Sequence, residues 1–209
     1  MKTVAYVLTA LLSGVLLSSC GINRSLHPVN TGNPVDVKEL AGNWHGLGVD
    51  NKTVVTARAE LDAAQPQQLK VKLEIKSVED VNKVDKVVPL LATVYELNGI
   101  RFMNLSADRA ELDKMIGEAG YTANAISKNI FHPWVYLFNV EFTKDTIELS
   151  AVSFSEIRKD GQKGKLLSDV ALFDDSEVAL LNPSSEITAI LRAKKYVATK
   201  LLTLTRSKN

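Results

Sequence analysis

The chain lacks the features that mark several classes of protein. It has one cysteine among 209 residues, so no disulfide can form within it, and only 6% of its residues are aromatic. Lys2 is the only charged residue before Cys20, which leaves 24 basic and 24 acidic side chains from Cys20 onward. A surface without excess positive charge lacks the field that attracts phosphate backbones, so we expect no nucleic-acid partner. With 45% hydrophobic residues, the composition is that of a globular protein.

The sequence also has few residues that carry chemistry. The three histidines are His27, His45 and His132, and no second cysteine, His-X-X-X-His pair or Gly-X-Ser-X-Gly elbow accompanies them. We therefore expect no metal, no cofactor and no enzymatic activity. One catalytic alternative stays open, a hydrolase in which His45 or His132 acts as the base for a serine such as Ser77 or Ser106.

The N-terminus has the pattern of an export signal. Lys2 provides a positive start, and the apolar run over 4–17 is shorter than the roughly 20 residues that cross a bilayer. Residues 17–20, Leu-Ser-Ser-Cys, resemble the lipobox of bacterial lipoproteins. This resemblance implies that 1–19 are a removed signal peptide and that acyl chains on Cys20 anchor the protein to a membrane. Gly21, the residue after Cys20, resembles the residue that directs enterobacterial lipoproteins to the outer membrane. We therefore expect the protein to be anchored in the outer membrane, on its periplasmic face.

The remaining chain divides into a tether and one domain. Residues 20–34 are rich in Asn, Ser, Pro and Gly without periodicity, which predicts a flexible tether, and 35–209 form the domain. Strict alternation of aliphatic and charged residues over 69–76 predicts a strand with one buried face. Asn98-Gly99 predicts a type I′ hairpin. In all, strands are predicted at 53–60, 69–76, 88–97, 100–105, 134–142, 146–152, 169–173, 178–181 and 198–206.

Two helices are predicted between these strands. Ser106 is expected to cap the first, in which positions 112, 115, 116 and 119 share an apolar face before Gly120 ends it. The second begins at 182–184 and places positions 187, 190, 191 and 194 on one face. Antiparallel strands joined by short turns, with two short helices, predict a single closed antiparallel β-barrel of about eight to nine strands.

Two segments resemble a known family. Gly42-Asn43-Trp44 resembles the Gly-X-Trp element that opens the barrel of lipocalins and related calycins, and residues 133–150 are similar to the central hairpin of lipocalin-like bacterial lipoproteins of uncharacterised function. In these families the tryptophan closes one end of the barrel and a basic side chain lies across its indole. The resemblance implies this role for Trp44 and for Arg206 of the last strand, whose cation–π contact contributes about 0.5–2 kcal/mol.

The barrel interior is the candidate binding site. Alternation predicts these inward side chains: Val55, Val71, Leu73, Phe102, Tyr136, Phe138, Val140 and Leu149. Among them, the residues expected to contact a small hydrophobic ligand, a fatty acid or a lipid fragment, are Val71, Leu73, Phe102, Tyr136, Phe138 and Val140, with the Tyr136 hydroxyl as polar handle. The alternative is a structural or interaction lipoprotein, a filled barrel that docks onto an envelope assembly. A pocket near the roughly 300 Å³ of small-ligand sites would separate the two.

Overall fold

The described part of the chain consists mainly of β-strands. The computed structural model describes residues 24–25, 27–30, 32, 34–48, 51–80, 86–118, 135–153, 170–172, 178–193 and 196–208. The predicted signal peptide, Cys20 and His132 lie outside these residues. The strands are β1 (Arg24–Ser25), β2 (Gly42–Gly48), β3 (Thr53–Leu61), β4 (Gln68–Ser77), β5 (Lys86–Leu97), β6 (Ile100–Ala107), β7 (Val135–Phe142), β8 (Thr146–Ser153), β9 (Val170–Leu172), β10 (Val178–Leu180) and β11 (Val197–Arg206).

The described helices are α1 (Arg109–Glu118) and α2 (Ser184–Arg192), and short 3-10 turns occupy Lys38–Leu40 and Val78–Asp80. Within the ranges given above, no helix has the length and apolar character needed to cross a membrane.

Eight of the strands close into a barrel. Their order around the ring is β2, β3, β4, β5, β6, β7, β8 and β11, and β11 pairs with β2 to complete it. Each neighbouring pair in the ring is antiparallel. Closure pairs both edges of every strand in the ring, which removes the exposed edges of an open sheet. The predicted fold class is confirmed: the architecture is a lipocalin-like (calycin) β-barrel with two short helices.

Local sequence signals explain the strands and their turns. On β4, Leu69 and Leu73 are buried inside the barrel while Lys72 is exposed outside, as the alternation predicts. The turn between β5 and β6 has Asn98 and Gly99 at φ of 53° and 77°. Positive φ at both central residues is the requirement of a type I′ turn, so the predicted hairpin is confirmed.

The hydrophobic core has two parts. One fills the barrel, and the other, which we call the outer cluster, lies between α2 and the outer face of β6, β7 and β8. The outer cluster consists of Val29, Leu97, Phe102, Val135, Leu137, Val152, Leu180, Ile187, Ile190 and Leu191. The three residues that α2 contributes are those of its predicted apolar face, whereas Lys194, the fourth position of that face, lies outside the described residues.

Three short strands extend the sheet away from the barrel. β1 pairs with the start of β7, β10 pairs parallel with β1, and β9 pairs with β10. The two short strands predicted at 169–173 and 178–181 are β9 and β10, so they lie outside the ring. At three residues each they are too short to span a barrel wall, and β2, which carries the Gly-X-Trp element, completes the ring instead.

Parts of the segment 20–34, predicted as a flexible tether, are held against the barrel. Ser25 and Val29 are fully buried. The side-chain amide of Asn104 holds Val29: the Val29 N–H donates to Oδ1 at 3.0 Å, and Nδ2 donates to the Val29 carbonyl at 2.9 Å. Pro34 forms a bridge with Tyr95. We call residues 27–30, 34 and 35 the N-terminal strap. Its composition is that of a linker, but its partners are distant in sequence, so composition could not predict its order.

The start of α1 also differs from the prediction. Ser106 is not a helix cap, because it lies in β6 opposite Leu91. The carboxylate of Asp108 accepts a hydrogen bond from the Glu111 N–H at 3.2 Å and takes the capping position. Leu112 of the predicted face is buried. The strand continues two residues further than predicted, and the helix begins correspondingly later.

Candidate functional site

The barrel interior holds one small apolar cavity among the described residues. Its volume is about 60 Å³. Val71, Leu73 and Phe138, three of the predicted ligand contacts, line it. Pockets for small ligands begin near 300 Å³, and an engineered apolar cavity that takes up benzene measures about 150 Å³. The inward side chains therefore nearly fill the barrel.

The other predicted contacts lie away from this cavity. Tyr136 and Val140 belong to the interior core but are not part of the cavity wall. The interior position predicted for Phe102 is wrong: its side chain lies in the outer cluster, with its ring centroid 5.8 Å from that of Tyr196. Both faces of β6 are apolar, with Met103 on the interior face, so alternation alone could not decide which face points inward.

The closed end of the barrel has the predicted contact between Trp44 and Arg206. The guanidinium carbon of Arg206 lies 4.1 Å from the centroid of the Trp44 ring. Trp44 is 1% exposed, and its indole N–H donates to the Leu40 carbonyl at 2.9 Å. The indole thus has both a cationic and a hydrogen-bonding partner, and it closes the barrel beneath the 3-10 turn.

Arg206 also satisfies its own donors. Nη1 donates to the carbonyl of Ala41 at 2.9 Å, Nη2 donates to the carbonyl of Glu39, and Nε donates to the carbonyl of Lys144. A half-buried guanidinium needs such acceptors, because it carries five N–H donors and cannot lose its charge. One side chain therefore joins the last strand, the 3-10 turn and the turn between β7 and β8.

The structure explains why the first residue of the Gly-X-Trp element is a glycine. Gly42 has a φ of 138°, and a Cβ there would overlap Nη1 of Arg206. Glycine is the residue that accepts both this backbone conformation and so close an approach. Gly42, Trp44 and Arg206 consequently form one arrangement in which each residue constrains the others.

A second cation–π contact at the same end was missed by sequence reasoning. The guanidinium carbon of Arg101 lies 4.5 Å from the centroid of the Phe142 ring, and Nε of Arg101 lies 3.7 Å from the carboxylate of Glu96. The sequence carries one signal for this contact. Arg101 lies two residues before Met103, so alternation along β6 places both side chains on the same face of the strand.

An acidic group organises the approach to the closed end. The Lys38 N–H donates to Oδ1 of Asp36 at 3.0 Å, and the Lys38 ammonium lies 3.5 Å from the other carboxylate oxygen. The backbone hydrogen bond lowers the pKa of Asp36 below its ordinary value of 3.8, because it stabilises the charged form. The contact fixes the start of the 3-10 turn that covers Trp44.

His45 meets a serine, although neither of the two serines considered from the sequence. Its Nδ1 lies 3.2 Å from Oγ of Ser207. His45 is exposed on the outer face of β2, and neither side chain lines the interior cavity or the two outer grooves described next. A base and a hydroxyl are therefore in reach of each other on the outer face of β2. Within the described ranges, no group of three or more His, Cys, Asp or Glu side chains is arranged to hold a metal.

The described part of the outer surface carries at least two grooves of ligand size. The first, which we call the neutral groove, has a volume of about 440 Å³ and lies between the N-terminal strap, the turn between β3 and β4, and the outer faces of β5 and β6. None of the described residues in its wall is charged. The lining residues are Pro28, Pro34, Gln65, Pro66, Gln67, Gln68, Leu91, Thr93, Tyr95, Asn104, Ser106 and Val135.

The second, the charged groove, has a volume of about 560 Å³ and lies between α1 and strands β3, β4 and β5; Val71 and Leu90 line both this groove and the interior cavity. Half of its wall is charged. The lining residues are Arg58, Glu60, Lys70, Val71, Lys72, Val87, Pro89, Leu90, Asp108, Ala110, Glu111 and Met115. Opposite charges pair on its wall, as Arg58 does with Glu60, two residues further along β3, at 2.6 Å.

Fold and site together define a calycin-like barrel with a plugged end, a nearly filled interior and two outer grooves. Comparison with family models finds no match for the chain. No curated protein and no solved structure matches it either.

Proposed function

We propose that this chain is a lipocalin-like lipoprotein of the outer membrane, held by acyl chains on Cys20 at the periplasmic face, and that its filled barrel is a non-enzymatic scaffold acting through its outer surface on a partner in the envelope. The observation that carries the proposal is the interior volume of about 60 Å³, well below the roughly 300 Å³ of small-ligand sites. The outer grooves, at about 440 and 560 Å³, offer the larger binding surfaces.

The position of β1 supports a close association with the membrane. Only three residues separate Cys20 from Arg24, the first residue of β1, which pairs with Tyr136 of the barrel wall. Four residues of extended chain span at most about 14 Å. An acylated Cys20 would therefore hold the barrel against the bilayer, since the chain contains no long spacer before its first strand.

The anchor is tested by Cys20→Ser. The variant should leave the barrel folded, because Cys20 precedes β1, and should move from the membrane to the soluble fraction when cells are fractionated. Mass spectrometry of the wild-type N-terminal peptide should show the added acyl mass. A variant that stays in the membrane fraction would contradict a purely lipid anchor.

A small hydrophobic ligand is the second candidate. The observation that favours it is the chemistry of the cavity wall, whose lining is apolar and includes the small residues Ala57, Ala59 and Ala92. The barrel fold is compatible with ligand binding. A fatty acid or lipid fragment would need neighbouring side chains such as Leu73 and Met103 to move aside and enlarge the space.

One titration separates the two candidates. A fluorescent fatty acid is added to full-length protein in detergent, beside Ala92→Leu, which fills the cavity, and Thr56→Val, a matched change on the outer face of β3. The filled barrel predicts no saturable binding by any of the three proteins. Saturable binding that Ala92→Leu abolishes and Thr56→Val retains would establish the carrier instead, as would a stoichiometric lipid in native mass spectrometry.

A further inference from the structure

The neutral groove is unusual for this chain in its chemistry. Charged residues make up 23% of the sequence, yet none of the twelve lining residues is charged. Seven of the twelve carry an amide or hydroxyl group, among them Gln65, Gln67, Gln68, Thr93, Tyr95 and Ser106. Amides and hydroxyls both donate and accept hydrogen bonds. The twelve described lining residues thus offer many neutral hydrogen-bonding groups and no ion-pairing partner.

One wall of this groove is held rigid by a buried acid. Asp62, 8% exposed, accepts the Ala64 N–H on its carboxylate at 3.0 Å and the Gln65 N–H on its carbonyl at 3.1 Å, and its own N–H donates to the carbonyl of Gln68 at 2.9 Å. These bonds fix the turn between β3 and β4, from which three glutamine side chains project. A turn fixed before binding loses less conformational entropy when a ligand arrives.

The opposite wall is equally fixed. The amide of Asn104 holds the backbone of Val29 through two hydrogen bonds, and the Val35 N–H donates to the carbonyl of Val94 at 2.8 Å. Three of the six prolines in the chain line the groove, and proline has little backbone freedom to lose. The volume of about 440 Å³ lies within the range of small-ligand sites.

We propose that the neutral groove binds a neutral glycan chain. A sugar presents hydroxyl groups that match amide and hydroxyl side chains, and its apolar ring face matches the half-buried aromatic ring of Tyr95. Among its described lining residues, an anionic or cationic ligand finds no countercharge. The inference deepens the proposed function by naming a partner class; it rests on the barrel acting through its outer surface and does not depend on the lipid anchor.

A peptide fits the groove less well. Extended peptides bind by pairing with a free strand edge, whereas the β5 residues Leu91 and Thr93 are paired on both sides, with β4 and with β6. Proline-rich peptides dock onto several aromatic rings, and among the twelve described lining residues Tyr95 is the one aromatic. The side-chain amide of Asn104, which resembles a backbone group, is already used by Val29.

The test is calorimetric titration of full-length protein in detergent with neutral trisaccharides of glucose and of N-acetylglucosamine. Variants Gln67→Ala and Thr93→Val each remove hydrogen-bonding groups, and each should weaken binding about two- to tenfold, the usual effect of one neutral hydrogen bond. Glu111→Gln in the charged groove is the matched control and should leave affinity unchanged. Circular dichroism verifies that all variants are folded.

A second arm separates two sources of the same chemistry. Vesicles with and without a neutral glycolipid are added to the protein, so that binding to soluble trisaccharide indicates a polysaccharide and binding to glycolipid vesicles alone indicates a headgroup. Either result supports the proposal if Gln67→Ala and Thr93→Val weaken it. The proposal would be overturned if the protein bound sugar in neither arm, or if neither groove variant weakened binding. It would also be overturned if the protein bound a trisaccharide of uronic acids with equal affinity, or a neutral proline-rich peptide in place of sugar. A lipid found inside the barrel would overturn the proposed function and leave these outcomes unaffected.

Discussion

Arg206→Ala should destabilise the barrel at its closed end. The change removes the cation–π contact with Trp44 and three hydrogen bonds to carbonyl oxygens, of which only the one to Ala41 is partly shielded from solvent. Exposed interactions contribute less than buried ones, so we expect a total loss of about 2–3 kcal/mol. In a domain of this size, that loss lowers the melting temperature by about 5–10 °C.

The interaction between the two residues is measured by a double-mutant cycle. Trp44→Ala removes a fully buried indole and should cost about 3–5 kcal/mol. If the guanidinium and the indole interact as their 4.1 Å separation indicates, the double variant loses about 0.5–2 kcal/mol less than the sum of the single losses. If Trp44→Ala fails to fold, Trp44→Phe replaces it in the cycle, because the phenylalanine keeps an aromatic ring beneath Arg206.

Urea denaturation followed by far-ultraviolet circular dichroism is the suitable assay, because Trp44 is one of only two tryptophans and fluorescence would change with the substitution. Lys200→Ala is the control. It breaks an exposed ion pair with Glu148 at 2.8 Å, six residues and roughly 20 Å along β11 from Arg206. Lys200→Ala and Trp44→Ala should be additive within about 0.5 kcal/mol. The same additivity for Arg206→Ala would refute the cation–π contact.

Three further substitutions test other parts of the structure. Gly42→Ala should cost about 1–3 kcal/mol in urea denaturation, and less when Arg206→Ala removes the atoms it would overlap; equal losses in both backgrounds would exclude the overlap. Asn104→Leu leaves the N–H and carbonyl of Val29 without their partners, so it should lower stability by about 1–3 kcal/mol and speed amide hydrogen exchange at Val29; unchanged exchange would contradict the strap. Because the pKa of Asp36 is lowered, its contribution is present above the ordinary value of 3.8 and is lost as pH falls through the lowered pKa. Asp36→Asn should therefore make the free energy of unfolding depend less on pH at acidic pH. An unchanged pH dependence would show that Asp36 makes no such contribution.

The barrel could be predicted from sequence because its signals are local. Alternation on β4 and the Asn98-Gly99 turn each depend on a few adjacent residues, and the fold class followed from repeating such signals along the chain. The contact of Trp44 with Arg206 is long-range, and only the resemblance to a family whose members share it made it predictable. Physical reasoning on one sequence has no other means of pairing residues that lie 162 positions apart.

The errors arise where a segment depends on distant partners or has two apolar faces. The N-terminal strap reads as a linker, but the amide of Asn104 orders it from 75 residues away. Side chains do alternate between the two faces of β6, but α2 covers the outer face, so both faces of the strand are buried. The pattern therefore does not show which face carries Phe102. The interior volume was equally beyond prediction, because it depends on how the inward side chains meet across the ring.

The boundary between the two outer grooves crosses β4 and β5 at Lys70 and Leu91, which are paired but line different grooves. Gln68 pairs with Thr93, and both line the neutral groove, whereas Lys72 pairs with Pro89, and both line the charged groove. The same boundary continues past β6, where Asp108 follows the strand on the charged side. On β4 the outward residues thus change from neutral at Gln68 to charged at Lys70, while the inward positions stay apolar. Core packing constrains only the inward set, so the outer faces are free to carry two different chemistries on one barrel.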